Sequence, residues 1–559
     1  MSADGSERHP PHVSQAVATL ARLVLLLGLE KRILAIILTY AVAIGLFSLI
    51  VPLTVQELVN TFAYSIQPIM IVTLAGTMLV GLLFMGAFRV LQARAVEILL
   101  QRLFTRIALA MTEHLPRFRE EAFSPRYANY FMEAELLPRA TVAMLADIVN
   151  VLISGSLGML ILVTYHPYFL GYNILLVSGF VFLIAVFGRG GFEITRKVSR
   201  LNYDTFSWLQ DIAHNRLHFK ATASRSLLLR KTDELVRAYV MARRIRSDIL
   251  TGSQYKSAVI WQAFGHSGMI GLGGWLLSIG DITLGQFVAA ELIVGALLMN
   301  LDTVARRMYA VFYAFTSLSE LATFFGLPKE RPSGLVSVSP PDSVLFGVRL
   351  TCIDVSFAYP GQLPAFEHFN IEVAPGEKVA VFCGDRVGKT SLALVLAGLY
   401  LPTSGVIRYN DVDLRDVSLE FINACRGLVL DSHLSLFEGT IEENITLRRE
   451  SVRFDDLQWA LRFVELEDEV DAMPLGLQTP VDARGKNFTK SQILRILVAR
   501  AIVARPQLLI LDGTLHNMEP ATRDMILRRL CSKEEPWSVI FVSNDTTLAA
   551  RVDRRITLT

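Results

Sequence analysis

Cysteine is scarce in this chain. Only Cys352, Cys383, Cys425 and Cys531 occur among 559 residues, and no two form a C-x-x-C pair. That excludes a disulfide framework and a paired-thiol metal site, and it fits thiols kept reduced. Net charge is nearly absent too: 54 Lys and Arg against 52 Asp and Glu leave +2. So small a field points to no nucleic-acid partner. Residues 1–20 are polar, lack a cleavable signal pattern and read as a disordered cytoplasmic tail.

Hydrophobic side chains, in contrast, make up 52% of the chain, unevenly spread. They crowd into residues 20–310, and the remainder has the mixed composition of a water-soluble α/β domain. Six stretches are long enough to cross about 30 Å of hydrocarbon, at about 33–58, 68–90, 141–165, 168–188, 257–279 and 284–304. They pair into three hairpins with short, nearly uncharged links. The segments between hairpins, 89–140 and 189–256, are long and rich in Arg and Lys. Excess positive charge marks the cytoplasmic side. Both termini and both long segments are therefore expected there, with the lipid bilayer around the spans. The long segments carry an amphipathic helical pattern, as at Ile98-Leu99-Leu100 and Leu103-Phe104, so helices should run on past the membrane. Breaks are expected at 123–127 and 214–218, where the chain must turn back. Gln262, His266 and Glu291 fall inside spans. They serve either an interhelical hydrogen bond or a translocation path.

The expected organisation is a tail at 1–20, an all-α six-helix transmembrane domain at 21–325, a Pro- and Ser-rich linker at 326–345, and an α/β P-loop domain at 346–559. In that last part, β-rich runs at 350–357, 378–382, 508–511 and 538–542 alternate with helical stretches, as in a parallel sheet. A phosphate-binding loop is spelled G-x-x-x-x-G-K-[ST]. Gly388, Lys389 and Thr390 match it, between a strand and a helix, but Cys383 stands at the first glycine, and Arg386 lies within the loop. An exposed Lys-Thr pair at a helix start would read the same at 389–390.

Three further runs accompany the loop. They are Val355-Ser356-Phe357-Ala358-Tyr359-Pro360, Gly439-Thr440-Ile441-Glu442-Glu443-Asn444-Ile445, and Arg500-Ala501 followed by Pro506 to Asp512. Together they resemble a half-transporter of the ATP-binding cassette (ABC) exporter family over about residues 30–559. The run at 51–60 resembles its type I protein-secretion branch faintly. The resemblance implies an integral multi-pass protein of a bacterial inner membrane, with its nucleotide-binding domain cytoplasmic. It implies ATP and Mg as ligands, held by Tyr359, Gly388, Lys389, Thr390, Ser391 and Asp512, with Thr390 and Asp512 on the metal.

The departures bear on catalysis. The resemblance expects Glu after Asp512, His at 544 and Gln at 432; the chain has Gly513, Asn544 and Ser432. The L-S-G-G-Q signature reads Phe488-Thr489-Lys490-Ser491-Gln492. Phosphoryl transfer depends on positioned water and charge stabilisation, so these losses point to ATP binding without efficient hydrolysis. A second, competent ABC chain is the implied partner, moving an unidentified substrate outward. A pseudo-ATPase scaffold, regulator or passive conduit remains open, and so does a homodimer that hydrolyses through His516 or Glu519.

Overall fold

The computed structural model describes residues 28–558 except 65–67, 120–124, 223–224, 330–346, 385–387, 432–433, 514 and 516. The expected tail and nearly all of the expected linker lie outside the described residues. Two compact units divide the chain between Leu327 and Pro328, with Phe118 and Arg119 belonging to the second.

The first unit is helical. Its elements are α1 (Lys31–Ser48), α2 (Ile50–Tyr64), α3 (Pro68–His114), α4 (Met132–Tyr165), α5 (Tyr168–Phe187), α6 (Gly191–His214), α7 (Arg216–Thr222), α8 (Arg225–Ser247), a π-helical turn (Asp248–Tyr255), α9 (Lys256–Ser278) and α10 (Leu284–Phe325). The first expected span is broken between α1 and α2, three residues before Pro52. Proline has no N–H to give and its ring crowds the carbonyl four residues back, here that of Ser48. With 47 residues, α3 is about 70 Å long at 1.5 Å per residue, far more than the bilayer needs. α10, with 42 residues, likewise outruns it. Both lengths leave room for the expected extension of helices past the hydrocarbon.

Five of the six expected spans are helices long and apolar enough to cross a membrane. The stretch at 257–279 is helical as α9, but Gln262, His266 and its glycines dilute its hydropathy. His266 Nδ1 lies 2.8 Å from Glu291 Oε1, joining α9 to α10. Thr283 opens α10 with a capping box: its hydroxyl accepts from Gln286 N, and Gln286 Oε1 accepts from Thr283 N. Inside the bundle, Gln92 and Asn150 exchange two amide hydrogen bonds of 2.9 Å between α3 and α4. Ser154 accepts from Asn300 at 3.2 Å nearby. Arg89, Asn150, Ser154 and Asn300 line a cavity of about 350 Å³ together with apolar residues such as Ile44, Leu49, Ile293 and Leu297.

The second unit is α/β. A parallel sheet runs in the order β11 (Arg554–Leu558), β3 (Lys378–Cys383), β10 (Ser538–Ser543), β9 (Leu508–Asp512) and β6 (Arg426–Leu430). Its central strands β9 and β10 are buried on both faces, as their unbroken apolar runs require. An antiparallel sheet joins β2 (Pro364–Val373), β1 (Leu350–Ala358), β4 (Ser404–Tyr409) and β5 (Val412–Asp413). A short ribbon pairs β7 (Gly439–Thr440) with β8 (Pro480–Val481). Around these pack α11 (Lys389–Leu396), α12 (Leu419–Cys425), α13 (Ile441–Thr446), α14 (Phe454–Phe463), α15 (Glu467–Asp471), α16 (Lys490–Ile502) and α17 (Pro520–Leu530). Lys378 is buried, and its ammonium donates to the carbonyls of Gly376, Glu535 and Trp537. Burial lowers its pKa from the ordinary lysine value.

Candidate functional site

Ligands in open α/β sheets bind beyond the carboxyl ends of the strands. There β3 delivers Cys383 to the phosphate-loop segment. Cys383 closes its strand with a buried side chain, so the first position of the expected loop faces the core. Burial pushes its thiol up to about 11, leaving it neutral at pH 7. Arg386 lies outside the described residues. Gly388 caps α11, and its N–H donates to Ala365 O at 3.3 Å. A Cβ at 388 would sit 3.0 Å from Ala365 Cβ and 3.1 Å from Ser391 Oγ, tighter than most side chains tolerate. A side chain at the loop's last glycine would therefore make Ala365 or Ser391 shift by a few tenths of an ångström.

Lys389, half-buried, opens α11, whose unpaired N–H groups and dipole favour an anion. Thr390 Oγ1 donates to Asp512 Oδ2 at 2.6 Å. Asp512 is buried at the end of β9, between β6 and β10. A hydroxyl and a carboxylate at this spacing fit a hard cation, with phosphate oxygens and water completing its shell. Tyr359 Oη lies 2.8 Å from Ser391 Oγ, and its ring packs edge-on against Phe357 and Tyr400. The sequence-expected residues Tyr359, Gly388, Lys389, Thr390, Ser391 and Asp512 therefore come together at one end of the sheet.

Gly513, after Asp512, adopts φ +97°, a backbone that side chains resist. Asn544 is exposed just past β10, while Ser432 and His516 lie outside the described residues. The signature segment starts α16. Thr489 is its N-cap, accepting from Gln492 N at 3.2 Å while its own N–H donates to Gln492 Oε1 at 3.0 Å. Lys490 and Ser491 form the first turn. Gln492 Nε2 in turn donates to Glu469 at 2.9 Å.

The run at 439–445 is explained by local chemistry. Thr440 and Glu443 form a reciprocal capping box at the start of α13. Asn444 is fully buried and bonds Phe437 O and Thr440 O. Sequence reasoning missed two features. One is the carboxylate of Asp431, which directly abuts Gly513; an unusual Asp after an apolar strand was its only signal. The other is the amide network of Gln92, Asn150 and Asn300, signalled by amides inside apolar runs.

A family model described as "ABC transporter" matches residues 366–516, which contain this loop and Asp512. Those residues are an ABC transporter domain. The whole chain has the fold of a bacterial Atm1-family ABC exporter solved with ATP bound, at TM-score 0.84 and 19% identity, covering 95% of this chain and 94% of that one. A fatty acid ABC transporter ATP-binding/permease protein of Mycobacterium bovis is 26% identical over 453 residues, 78% of this chain and 69% of the relative. An ATP-dependent lipid A-core flippase of Neisseria gonorrhoeae is 26% identical over 287 residues, 51% of this chain and 45% of the relative. A multidrug efflux ATP-binding/permease protein of Mycobacterium bovis is 32% identical over 256 residues, 45% of this chain but only 20% of that relative's length. The chain thus joins one set of membrane-type helices to one ABC transporter domain, with the fold of the Atm1-family exporter.

Proposed function

We propose that this half-transporter binds ATP with Mg, hydrolyses it slowly at most, and works beside a second, hydrolysis-competent ABC chain. The observation that carries this reading is a contrast at the end of β9. The holding groups Lys389, Thr390 and Asp512 are assembled, whereas Gly513 offers no side chain and no room for one. Thr390 and Asp512 would hold Mg, which would neutralise phosphate charge. Lys389 and the first turn of α11 would hold the phosphates.

The pairing follows from how such domains work, each site combining one chain's phosphate loop with the other's signature. Lys490 and Ser491, in place of glycines, put side chains where a close backbone approach is needed. The transported class is an amphiphile. The cavity beside Arg89 and Asn150 has a mixed lining, with polar side chains at Arg89, Asn150, Ser154 and Asn300 and apolar ones at Ile44, Leu49, Ile293 and Leu297. Relatives named for fatty acids and lipid A-core agree with that class. The excess of Arg and Lys between the hairpins supports a cytoplasmic position for both long segments and the ABC domain.

The test is purification of the tagged full chain in detergent from its native host, with its companion identified and its ATP binding measured. A stoichiometric second ABC chain and saturable ATP binding are expected. A stable homodimer without a companion sinks the pairing. Absence of ATP binding favours a scaffold or passive conduit instead; the Tyr359 hydroxyl engaged on Ser391 agrees with that second reading.

A further inference from the structure

We propose that Asp431 is the water-polarising carboxylate of this chain's nucleotide site, responsible for whatever slow hydrolysis the chain performs. This rests on the ATP-binding reading above. Strands β6 and β9 run side by side with Leu430 opposite Asp512. Asp431 N donates to Asp512 O at 3.1 Å, so the ladder continues one step and sets residue 431 beside residue 513. A Cβ at 513 would lie 2.8 Å from Asp431 Cβ, 2.9 Å from its Oδ2 and 3.2 Å from its Cγ. The Asp431 carboxylate therefore fills the space in which a side chain on residue 513 would begin. A carboxylate is missing from one strand end and present on the neighbouring one.

Its orientation is fixed. Asn517 Nδ2 donates to Asp431 Oδ1 at 3.1 Å, from the segment that follows β9. Among the described residues none donates to Oδ2, the oxygen nearest Gly513. The other carboxylate at this edge, Asp512, is committed to Thr390. The two acids thus divide the work: Asp512 stands with the metal-binding hydroxyl, and Asp431 keeps one oxygen for water. Aspartate is a methylene shorter than glutamate, but it reaches this space from the adjacent strand, not from residue 513.

In the proposed step, Asp431 Oδ2 accepts a proton from water while the water oxygen bonds to the γ-phosphorus. The bond from that phosphorus to the β–γ bridging oxygen breaks, and its electron pair leaves with ADP. Phosphate departs and the proton passes from Asp431 to solvent.

The full-length chain in lipid nanodiscs is assayed for phosphate release and for binding of a fluorescent ATP analogue. The parent is compared with Asp431→Asn, Asp431→Glu, Asn517→Ala and Lys389→Ala. Asp431→Asn should lower phosphate release about 100-fold, or to the Lys389→Ala level, with analogue affinity unchanged. Asp431→Glu should keep part of the rate, and Asn517→Ala should lower the rate and shift its pH profile. Release by Asp431→Asn equal to the parent overturns the proposal, and so does a parent no faster than Lys389→Ala. If Asp431→Asn loses analogue binding, Asn517→Ala decides, and an unchanged rate and profile overturn the proposal. A parent that binds no analogue overturns the nucleotide reading as well, which separates the two failures.

Discussion

Arg500 and Asn444 tie the helix that follows the signature segment to the capped helix α13. Arg500 Nε donates to the Asn444 carbonyl at 2.6 Å, and Nη2 donates to Asn444 Oδ1 at 2.9 Å. Burial first, then the nearby Arg449, pushes the Arg500 pKa down to about 10. The charge is held by neutral oxygens, and no carboxylate pairs with it in these bonds.

Asn444→Ala should therefore leave a largely buried guanidinium short of an acceptor. We expect a loss of about 2 kcal/mol in the stability of the ABC domain. Thermal unfolding of the purified protein checks this. Asn444→Asp, which restores an acceptor, should recover most of the loss.

Lys389→Ala should weaken ATP binding about tenfold or more, the size of a charged hydrogen bond to phosphate. Titration with a fluorescent ATP analogue reads this. Unchanged affinity would make Lys389 an exposed helix-start residue and nothing more.

Gly513→Glu alone should not create hydrolysis. The residue would have to hold a positive φ, costing about 1–2 kcal/mol, and would collide with Asp431. A lower unfolding temperature and no gain in phosphate release are expected. Adding Asp431→Ala should recover part of the stability.

Glu469 gives a pH dependence. Burial alone would raise its pKa, but hydrogen bonds from Gln492 and Arg495 and the Arg495 charge outweigh it, and the net shift is down. A carboxylate with a depressed folded pKa stabilises the fold above its unfolded value, about 4.3. That contribution is lost as pH falls through the folded value. Glu469→Gln should thus lower the unfolding temperature at pH 7, and its gap to the parent should close below about pH 4. A gap independent of pH would contradict the ion pair with Arg495.

Long periodic patterns made much of this fold legible. The apolar runs gave the helices of the first unit, because a bilayer demands about 20 residues of one character. The apolar tetrads at 508–511 and 539–542 gave the central strands β9 and β10. Strands β2, β4, β6 and β11 were harder, since edge and half-exposed strands carry mixed residues whose pairing depends on distant partners. The break before Pro52 was readable locally but was masked by the continuous hydropathy around it. The site divides the same way. Lys389, Thr390 and Asp512 are spelled by local motifs. The contact between Asp431 and Gly513 joins residues 82 positions apart, and no spacing rule reaches that far.

The interlock of those two residues also couples substitutions at the two positions. A side chain at 513 collides with Asp431 where it stands, and removing Asp431 deletes the carboxylate that fills the gap. A glutamate at 513 therefore requires two changes, of which neither is favourable alone. The two positions are thus coupled across neighbouring strands, and a change at one is tolerated best together with a change at the other.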